Sequence, residues 1–435
     1  MRGSVSACGS ARWPATADRQ GRSRLSTRVA GLASLLVVVP AIAGAQFSDV
    51  DAVLRDAVND GKVAGVVGLA LTRDGVVYER AFGKREVADD VDMTVDSIFR
   101  IASMTKAITS VAVMQLVDRG FVMLDDPAEY HVPALGNARV LTGFDADTGA
   151  PRLREPTSPV TVRHLLTHTS GFGYEIWNSD LQRLVLAGSL ESLIGGTDGF
   201  LAAPLLFDPG QRWEYGINTD WLGRLVEEVS GQSLSAYLRE HVFTPLGMTD
   251  TFFNVPAIKA PRLVTVHQRG PNGNLAEQPR QPPPSSTFFS GGGGLSSTGG
   301  DYAQFLHMLL NGGTLNGNRV LRADTIDVMA QNHIGDLEAG AMSTVAPPFS
   351  NDFDFFAGSI DRFGLGFLIN GQRVDGGRAA GSLAWAGLYN TYFWIDRTRG
   401  VAGVILMQIL PFYDGEAVDL LGRFERAVYA AVEQS

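Results

Sequence analysis

The segment Ser103-Met104-Thr105-Lys106 holds the pair of residues whose types and spacing carry the clearest chemical meaning in this sequence. A serine hydroxyl is a poor nucleophile at neutral pH, so a chain that uses one must hold a base within hydrogen-bond reach. Residues three apart on a helix share a face, which sets the Lys106 amine beneath the Ser103 hydroxyl. At the first turn of such a helix the serine also feels the positive end of the helix dipole. A lysine becomes a base only by losing its proton, and burial beside polar groups favours that loss. Alone, Ser-x-x-Lys is a weak pattern, but composition sharpens it. The lysines are Lys62, Lys84, Lys106 and Lys259, and only Lys106 has a serine three residues ahead; arginine supplies the other positive charges. Arginine does not deprotonate in proteins, which gives lysine a reason to persist here. The plain alternative is a helix-capping serine beside a surface lysine.

Three other patterns carry less. His164 and His168 are four apart, as metal-binding histidines on a helix are, but no glutamate follows His164, so packing and hydrogen bonding are expected of them rather than metal. The run Gly291 to Gly294 lacks the Gly-Lys-Ser/Thr ending of a phosphate loop and reads as a tight turn. No Gly-x-Ser-x-Gly elbow occurs, which weighs against an α/β-hydrolase.

The elements that must position Ser103 and Lys106 follow from hydrophobic periodicity. Residues 49 to 59 suit an amphipathic helix, and Val66 to Leu71 with Val76 to Phe82 read as two strands joined at Arg73-Asp74-Gly75. Near the other end, Phe363 to Ile369, Ser382 to Ile395 and Val401 to Leu410 read as strands, followed by a helix from about Glu416 to Glu433. Between them lie helical patterns at Ser103 to Asp118, stopped by Gly120, at Val162 to Thr167 and at Trp221 to Ser230, separated by Pro- and Gly-rich loops. The predicted fold is α+β: an antiparallel sheet built from both chain ends and flanked by helices, with a mainly helical insertion. Residues 46–105 and 290–435 are assigned to the sheet region and 106–289 to the helical region.

Beyond the Ser-x-x-Lys pair, the chain carries Leu165-Leu166-Thr167-His168-Thr169-Ser170-Gly171, Pro245-Leu246-Gly247-Met248 and Gly291-Gly292-Gly293-Gly294-Leu295-Ser296-Ser297-Thr298. In these segments and their order it resembles the serine β-lactamase and penicillin-binding-protein superfamily, and within it the class C β-lactamases and family VIII carboxylesterases. The resemblance implies a β-lactamase-like fold and a catalytic tyrosine that shares proton transfer with the lysine. Tyr215, in Trp213-Glu214-Tyr215-Gly216-Ile217-Asn218, occupies that place. Many β-lactamases have Tyr-x-Asn there, whereas this chain has Ile217 third and Asn218 fourth, a form similar to the esterases. The resemblance also implies a third motif on an edge strand, where β-lactamases place Lys-Thr-Gly. The best match is Trp385-Ala386-Gly387. Tryptophan offers an apolar wall instead of a charge, Gly387 allows close backbone approach, and by analogy the amides of Ser103 and Leu388 form an oxyanion hole.

Composition bounds the setting. Of 435 residues, 45% are hydrophobic and 19% charged, which suits a folded chain with a large core. Arg22, Arg24 and Arg28 precede an apolar run from Val29 to Val39 and then Ala43-Gly44-Ala45, so residues 1–45 are read as a signal peptide and the mature chain as exported, to the periplasm or medium. The run is shorter than the roughly 20 residues that span a bilayer. Cys8 is the sole cysteine, so the mature chain is expected to lack disulfides, a thiol nucleophile and cysteine-bound metal. Loss of six Arg and one Asp with that segment moves the formal net charge from −10 to −15, which argues against nucleic acid or anionic membrane as partners.

These residues predict a serine hydrolase that cleaves small carboxylic esters, EC 3.1.1, through an acyl-enzyme on Ser103, with no cofactor or metal. A short acyl chain is expected, with Phe172 and Trp177 as candidate pocket residues. The rival enzyme is a β-lactamase or D-amino-acid peptidase, and a rival of another class is a non-catalytic relative that binds ligands.

Overall fold

The computed structural model describes residues 46–282 and 285–434; the signal-peptide assignment lies outside them. The first helix, α1 (Ser48–Asn59), buries Val50, Leu54 and Ala57 at helical spacing. Strands β1 (Gly65–Thr72) and β2 (Gly75–Glu86) pair antiparallel, the hairpin that Arg73-Asp74-Gly75 signalled. Short strands β3 (Val91–Asp92) and β4 (Phe99–Arg100) follow. Then come a 3₁₀ turn at Ala102–Met104, helix α2 (Thr105–Asp118), α3 (Val162–Leu166) and α4 (Asn218–Ser230). The chain returns through β5 (Ser296–Ser297) and α5 (Gly299–Leu310) to β6 (Arg362–Phe363), β7 (Leu368–Ile369), β8 (Leu383–Gly387), β9 (Thr391–Asp396) and β10 (Val401–Leu406), and ends in α6 (Gly415–Val432).

The main sheet has eight strands in the order β6-β7-β8-β9-β10-β1-β2-β3. Its centre is the antiparallel pairing of β1 with β10, for example Val67 opposite Leu406, so the two chain ends are stitched together as expected. Side chains alternate across the sheet with a period of two. Val67, Leu69 and Leu71 join a core shared with α2 and α5, whereas Val66 and Ala70 face a second core built with Leu54 of α1 and Leu420, Phe424 and Val428 of α6. Helix α2 is buried on nearly all faces from Thr105 to Leu116, as a helix enclosed on every side must be. Gly120, at φ +74°, ends it in the left-handed conformation that favours glycine. Among the described residues no helix is long and apolar enough to cross a membrane.

Three strand assignments need correction. Phe363 to Ile369 is two short strands paired as a hairpin, with Gly366 at φ +95° between them. Ser382 to Ile395 is also a hairpin, β8 and β9 paired from Leu383 with Ile395 to Gly387 with Thr391. Asn390 makes its bend at φ +59°; the aromatic and β-branched residues on both sides disguised the turn. Val401 to Leu410 leaves the main sheet after Leu406, and Ile409 and Leu410 pair in parallel with His267 and Gln268.

Candidate active site

The Ser103 turn is held from several directions. Ala102 just before it adopts φ +41°, a conformation that costs a non-glycine residue free energy and persists only where surroundings enforce it. One such neighbour is Gly387 at the end of β8: a Cβ there would lie 3.1 Å from the Ile101 carbonyl carbon and nearer still to its oxygen. The glycine therefore serves close packing of the strand against the Ser103 turn. Its successor Leu388 lines the same cavity as Ser103, and its amide meets no acceptor among the described residues.

Lys106 is 2% exposed and its Nζ has three polar neighbours: Ser103 Oγ at 3.3 Å, Tyr174 Oη at 3.0 Å and the Gly292 carbonyl oxygen at 2.7 Å. The predicted one-turn pairing of serine and lysine is thus present. The glycine run acts as the expected tight turn. Gly291 accepts from Thr109 Oγ1 of α2 at 2.8 Å, and Gly292 donates its amide to Asp220 Oδ1 at 3.0 Å while its carbonyl meets Lys106.

Two tyrosines flank the lysine. Tyr215 is buried, with its ring centroid 4.7 Å from Lys106 Nζ and 5.0 Å from the Trp385 ring. Its hydroxyl has no hydrogen-bond partner among the described residues. The phenol bonded to Lys106 is instead that of Tyr174, which also donates to Asp220 Oδ2 at 3.4 Å. Burial, and next the Asp220 carboxylate, pushes the Tyr174 pKa well above its ordinary range, so the phenol keeps its proton. Burial likewise raises Asp220, against the opposing charge of Lys106 and the donors Ser290 and Gly292. Sequence reasoning missed Tyr174. Its one signal was an aromatic residue just past Thr169-Ser170-Gly171, and Phe172 and Trp177 drew attention there instead. Trp177 does line the cavity; Phe172 is buried beneath it, stacked on Trp221 at 6.1 Å.

Both histidines have structural tasks. His164 Nδ1 accepts the Thr161 amide at the start of α3 at 3.2 Å, and His168 Nδ1 accepts from Asn218 Nδ2 at 2.9 Å. Burial, followed by the positive charge of Lys106, holds the His168 pKa well below its usual 6.5, so its ring is neutral.

Ser103 opens into a cavity of about 380 Å³ lined by Ile176, Trp177, Phe253, Phe288, Phe355 and Trp385, among others. Such apolar walls favour carbon-rich ligands and exclude water from a reacting carbonyl.

The β-lactamase family model matches residues 50–427. Over 396 residues, 87% of this chain and 95% of the relative, the sequence is 34% identical to monacolin J acid methylbutanoyltransferase of Aspergillus terreus. A lovastatin esterase of Penicillium rubens is 31% identical over 401 residues, 87% of this chain and 97% of its own. Among solved structures, unliganded simvastatin synthase of Aspergillus terreus superposes with a TM-score of 0.77 at 32% identity, covering 89% of this chain and 98% of the other. A relative named as a methylbutanoyltransferase and one named as an esterase thus match most of this chain, which supports serine-dependent acyl transfer or hydrolysis here. On this match and the antiparallel sheet with its flanking helices, the chain belongs to the β-lactamase family.

Proposed function

We propose that this protein hydrolyses small carboxylic esters through an acyl-enzyme on Ser103. Oγ attacks the ester carbonyl as its proton passes to Lys106, the oxyanion forms between the Ser103 and Leu388 amides, and collapse expels the alcohol, which takes up a proton. Water then attacks the acyl-enzyme, Lys106 accepting one of its protons, and the acid leaves as Oγ is reprotonated. Tyr215 carries the proton to the leaving oxygen. Its buried hydroxyl, without a partner, is the kind of group that the interior of a protein seldom tolerates unless a ligand or water completes it. Neither step calls for a metal or cofactor. The observation that carries the proposal is the 3.3 Å contact of Lys106 with Ser103 at an aromatic cavity.

A second outcome of the same acyl-enzyme, transfer of the acyl group to an alcohol, has its own support: one relative is named as a methylbutanoyltransferase and another as an esterase. An apolar cavity lets an alcohol compete with water for the acyl group. Trp385 at the position of the β-lactamase lysine weighs against β-lactams, whose carboxylate that lysine would hold.

The test is turnover of 4-nitrophenyl butyrate, with and without an added alcohol, by the wild type and Ser103→Ala, together with labelling by a fluorophosphonate. Undiminished turnover by Ser103→Ala, or absence of labelling of the wild type, sinks the assignment. Faster hydrolysis of a chromogenic cephalosporin than of the aryl ester would shift the substrate to β-lactams. We also propose that the chain is exported; a mature N-terminus at Gln46 supports this, and an uncleaved one in an exporting host refutes it.

A further inference from the structure

One wall of the cavity, formed by Leu193, Ile194, Gly196, Thr197 and Phe200, is built unlike the wall opposite. Trp385 and Gly387 sit in β8 of the main sheet, whereas Glu191 to Asp198 holds only the 3₁₀ turn Leu193–Gly195. Among the described residues, the backbone hydrogen bonds of this segment stay within it or reach Leu201, with one exception: the Leu193 amide donates to Glu175 Oε1 at 2.9 Å. The same oxygen accepts from Ser192 Oγ at 2.8 Å, and that hydroxyl accepts in turn from the Ile194 amide at 3.2 Å. At the other end Asp198 pairs with Arg224 of α4, whose guanidinium lies 5.1 Å from the centroid of the Phe288 ring in the cavity. The polar anchors of the wall are therefore two, Glu175 and Arg224.

Glu175 joins this wall to the chemistry. It lies between Tyr174, whose phenol is bonded to Lys106, and Ile176, which lines the cavity; its own side chain reaches past the cavity to the Ser192 turn. Ile194 is 56% exposed, an apolar side chain at the rim with surface left for an apolar partner. Covering such a side chain removes apolar area from water and favours binding. The gain is kept only where the wall is in place before the substrate arrives, because ordering a loop on binding gives much of it back. We propose that Glu175 is a positioning residue for substrate selection: by holding Leu193 and Ile194 at the cavity it makes the enzyme prefer esters with an extended apolar chain over their shortest counterparts. This rests on the acyl-transfer reading of Ser103 and names what sets the substrate size at that site.

Two matched pairs test it. In one the chain lies in the acyl part: 4-nitrophenyl hexanoate against 4-nitrophenyl acetate. In the other it lies in the alcohol part: hexyl butyrate against ethyl butyrate, followed by acid release. In the wild type at least one pair should favour the longer ester in kcat/KM by on the order of ten- to a hundredfold, the usual worth of contacts in an apolar pocket. Glu175→Ala should bring that ratio near one. Glu175→Gln should keep it, because both donors meet a single oxygen that the amide also offers. A disturbance passed to the neighbouring Tyr174 slows both members of a pair alike and leaves the ratio unmoved, so the ratio reads the wall and not the base. No preference in either wild-type pair, an unchanged ratio in Glu175→Ala, or a loss in Glu175→Gln equal to that in Glu175→Ala overturns the proposal. Should Glu175→Ala not fold, Ser192→Ala decides: it removes one donor and the cap on Ile194 and should lower the ratio, and an unchanged ratio refutes the idea. Binding separates this proposal from the catalytic one. In Ser103→Ala, quenching of tryptophan fluorescence, with Trp177 and Trp385 in the cavity, reports affinity for the same esters without turnover. Tighter binding of the longer member, lost when Glu175→Ala is added, supports the wall even if fluorophosphonate labelling fails, and equal affinity within both pairs counts against it.

Discussion

Substituting Gly387 by alanine should disable Ser103 without touching it. The added Cβ would meet the Ile101 carbonyl carbon at 3.1 Å and its oxygen more closely. Restoring ordinary contact requires β8 and the nucleophile turn to part by roughly 1 Å, because close-packed interiors have little slack. The turn is the softer partner: it already holds Ala102 at φ +41°, whereas Gly387 is fixed in β8 by its pairing with Thr391 of β9. A shift of that size stretches the 3.3 Å contact of Lys106 Nζ with Ser103 Oγ past hydrogen-bond range and misaligns the oxyanion donors. Misplacement of about 1 Å costs on the order of a hundredfold in rate, or about 2.7 kcal/mol of barrier. Overpacking itself should remove about 1–3 kcal/mol of stability. The assay pairs kcat/KM on 4-nitrophenyl butyrate with the rate of fluorophosphonate labelling, both at a temperature where near-UV circular dichroism shows native packing. A Gly387→Ala protein that labels and turns over within about threefold of wild type would refute the idea that this close approach positions the nucleophile.

Tyr174→Phe removes the hydrogen bonds to Lys106 and Asp220 while keeping the ring. At about 1.5–3 kcal/mol for bonds to charged groups, kcat/KM and the labelling rate should each fall on the order of ten- to a hundredfold; an unchanged labelling rate would leave Tyr174 a packing residue. His168 has a pKa held well below 6.5 by burial, so in the window below 6.5 the unfolded chain binds its proton and the native state does not. Stability from this residue is complete above that window and declines as pH falls through it, by at most about 1.4 kcal/mol per pH unit. His168→Gln should therefore show a shallower loss between pH 7.5 and 5.5 in urea denaturation, and an equal or steeper slope contradicts the assignment. Glu425→Ala strands Arg378, both groups being 5% exposed, and should cost about 3–5 kcal/mol; a midpoint near that of wild type would show that the pair is dispensable.

What the sequence made legible is what local geometry decides. One helical turn sets Ser103 and Lys106 together, and the apolar strands at both ends of the chain announced a sheet closed by β1 against β10. Strand limits failed where a turn residue hid inside an apolar run, as Asn390 does between β8 and β9. Tyr174 was out of reach for a different reason. Its bond to Lys106 joins residues 68 positions apart, and an aromatic residue after a Thr-Ser-Gly turn looks the same whether it faces the core or an amine.

The surroundings of Lys106 give its proposed role as base a physical rationale. An ammonium group has three N–H donors, a neutral amine two donors and one lone pair. Of the three neighbours, the Gly292 carbonyl oxygen can only accept, at 2.7 Å. The Tyr174 oxygen can accept from Lys106 because its own proton points to Asp220. In the deprotonated form that the proposed base step requires, those two take both donors of the amine and leave its lone pair facing Ser103 Oγ, which has a proton to give. After transfer, the new N–H points back at the attacking oxygen, and the rings of Tyr215 and Tyr174, 4.7 and 5.1 Å away, favour the cation now present. Every polar partner of the amine is thus satisfied before and after the proton moves. A base so placed needs no rearrangement during the reaction, which is what preorganisation means in energetic terms.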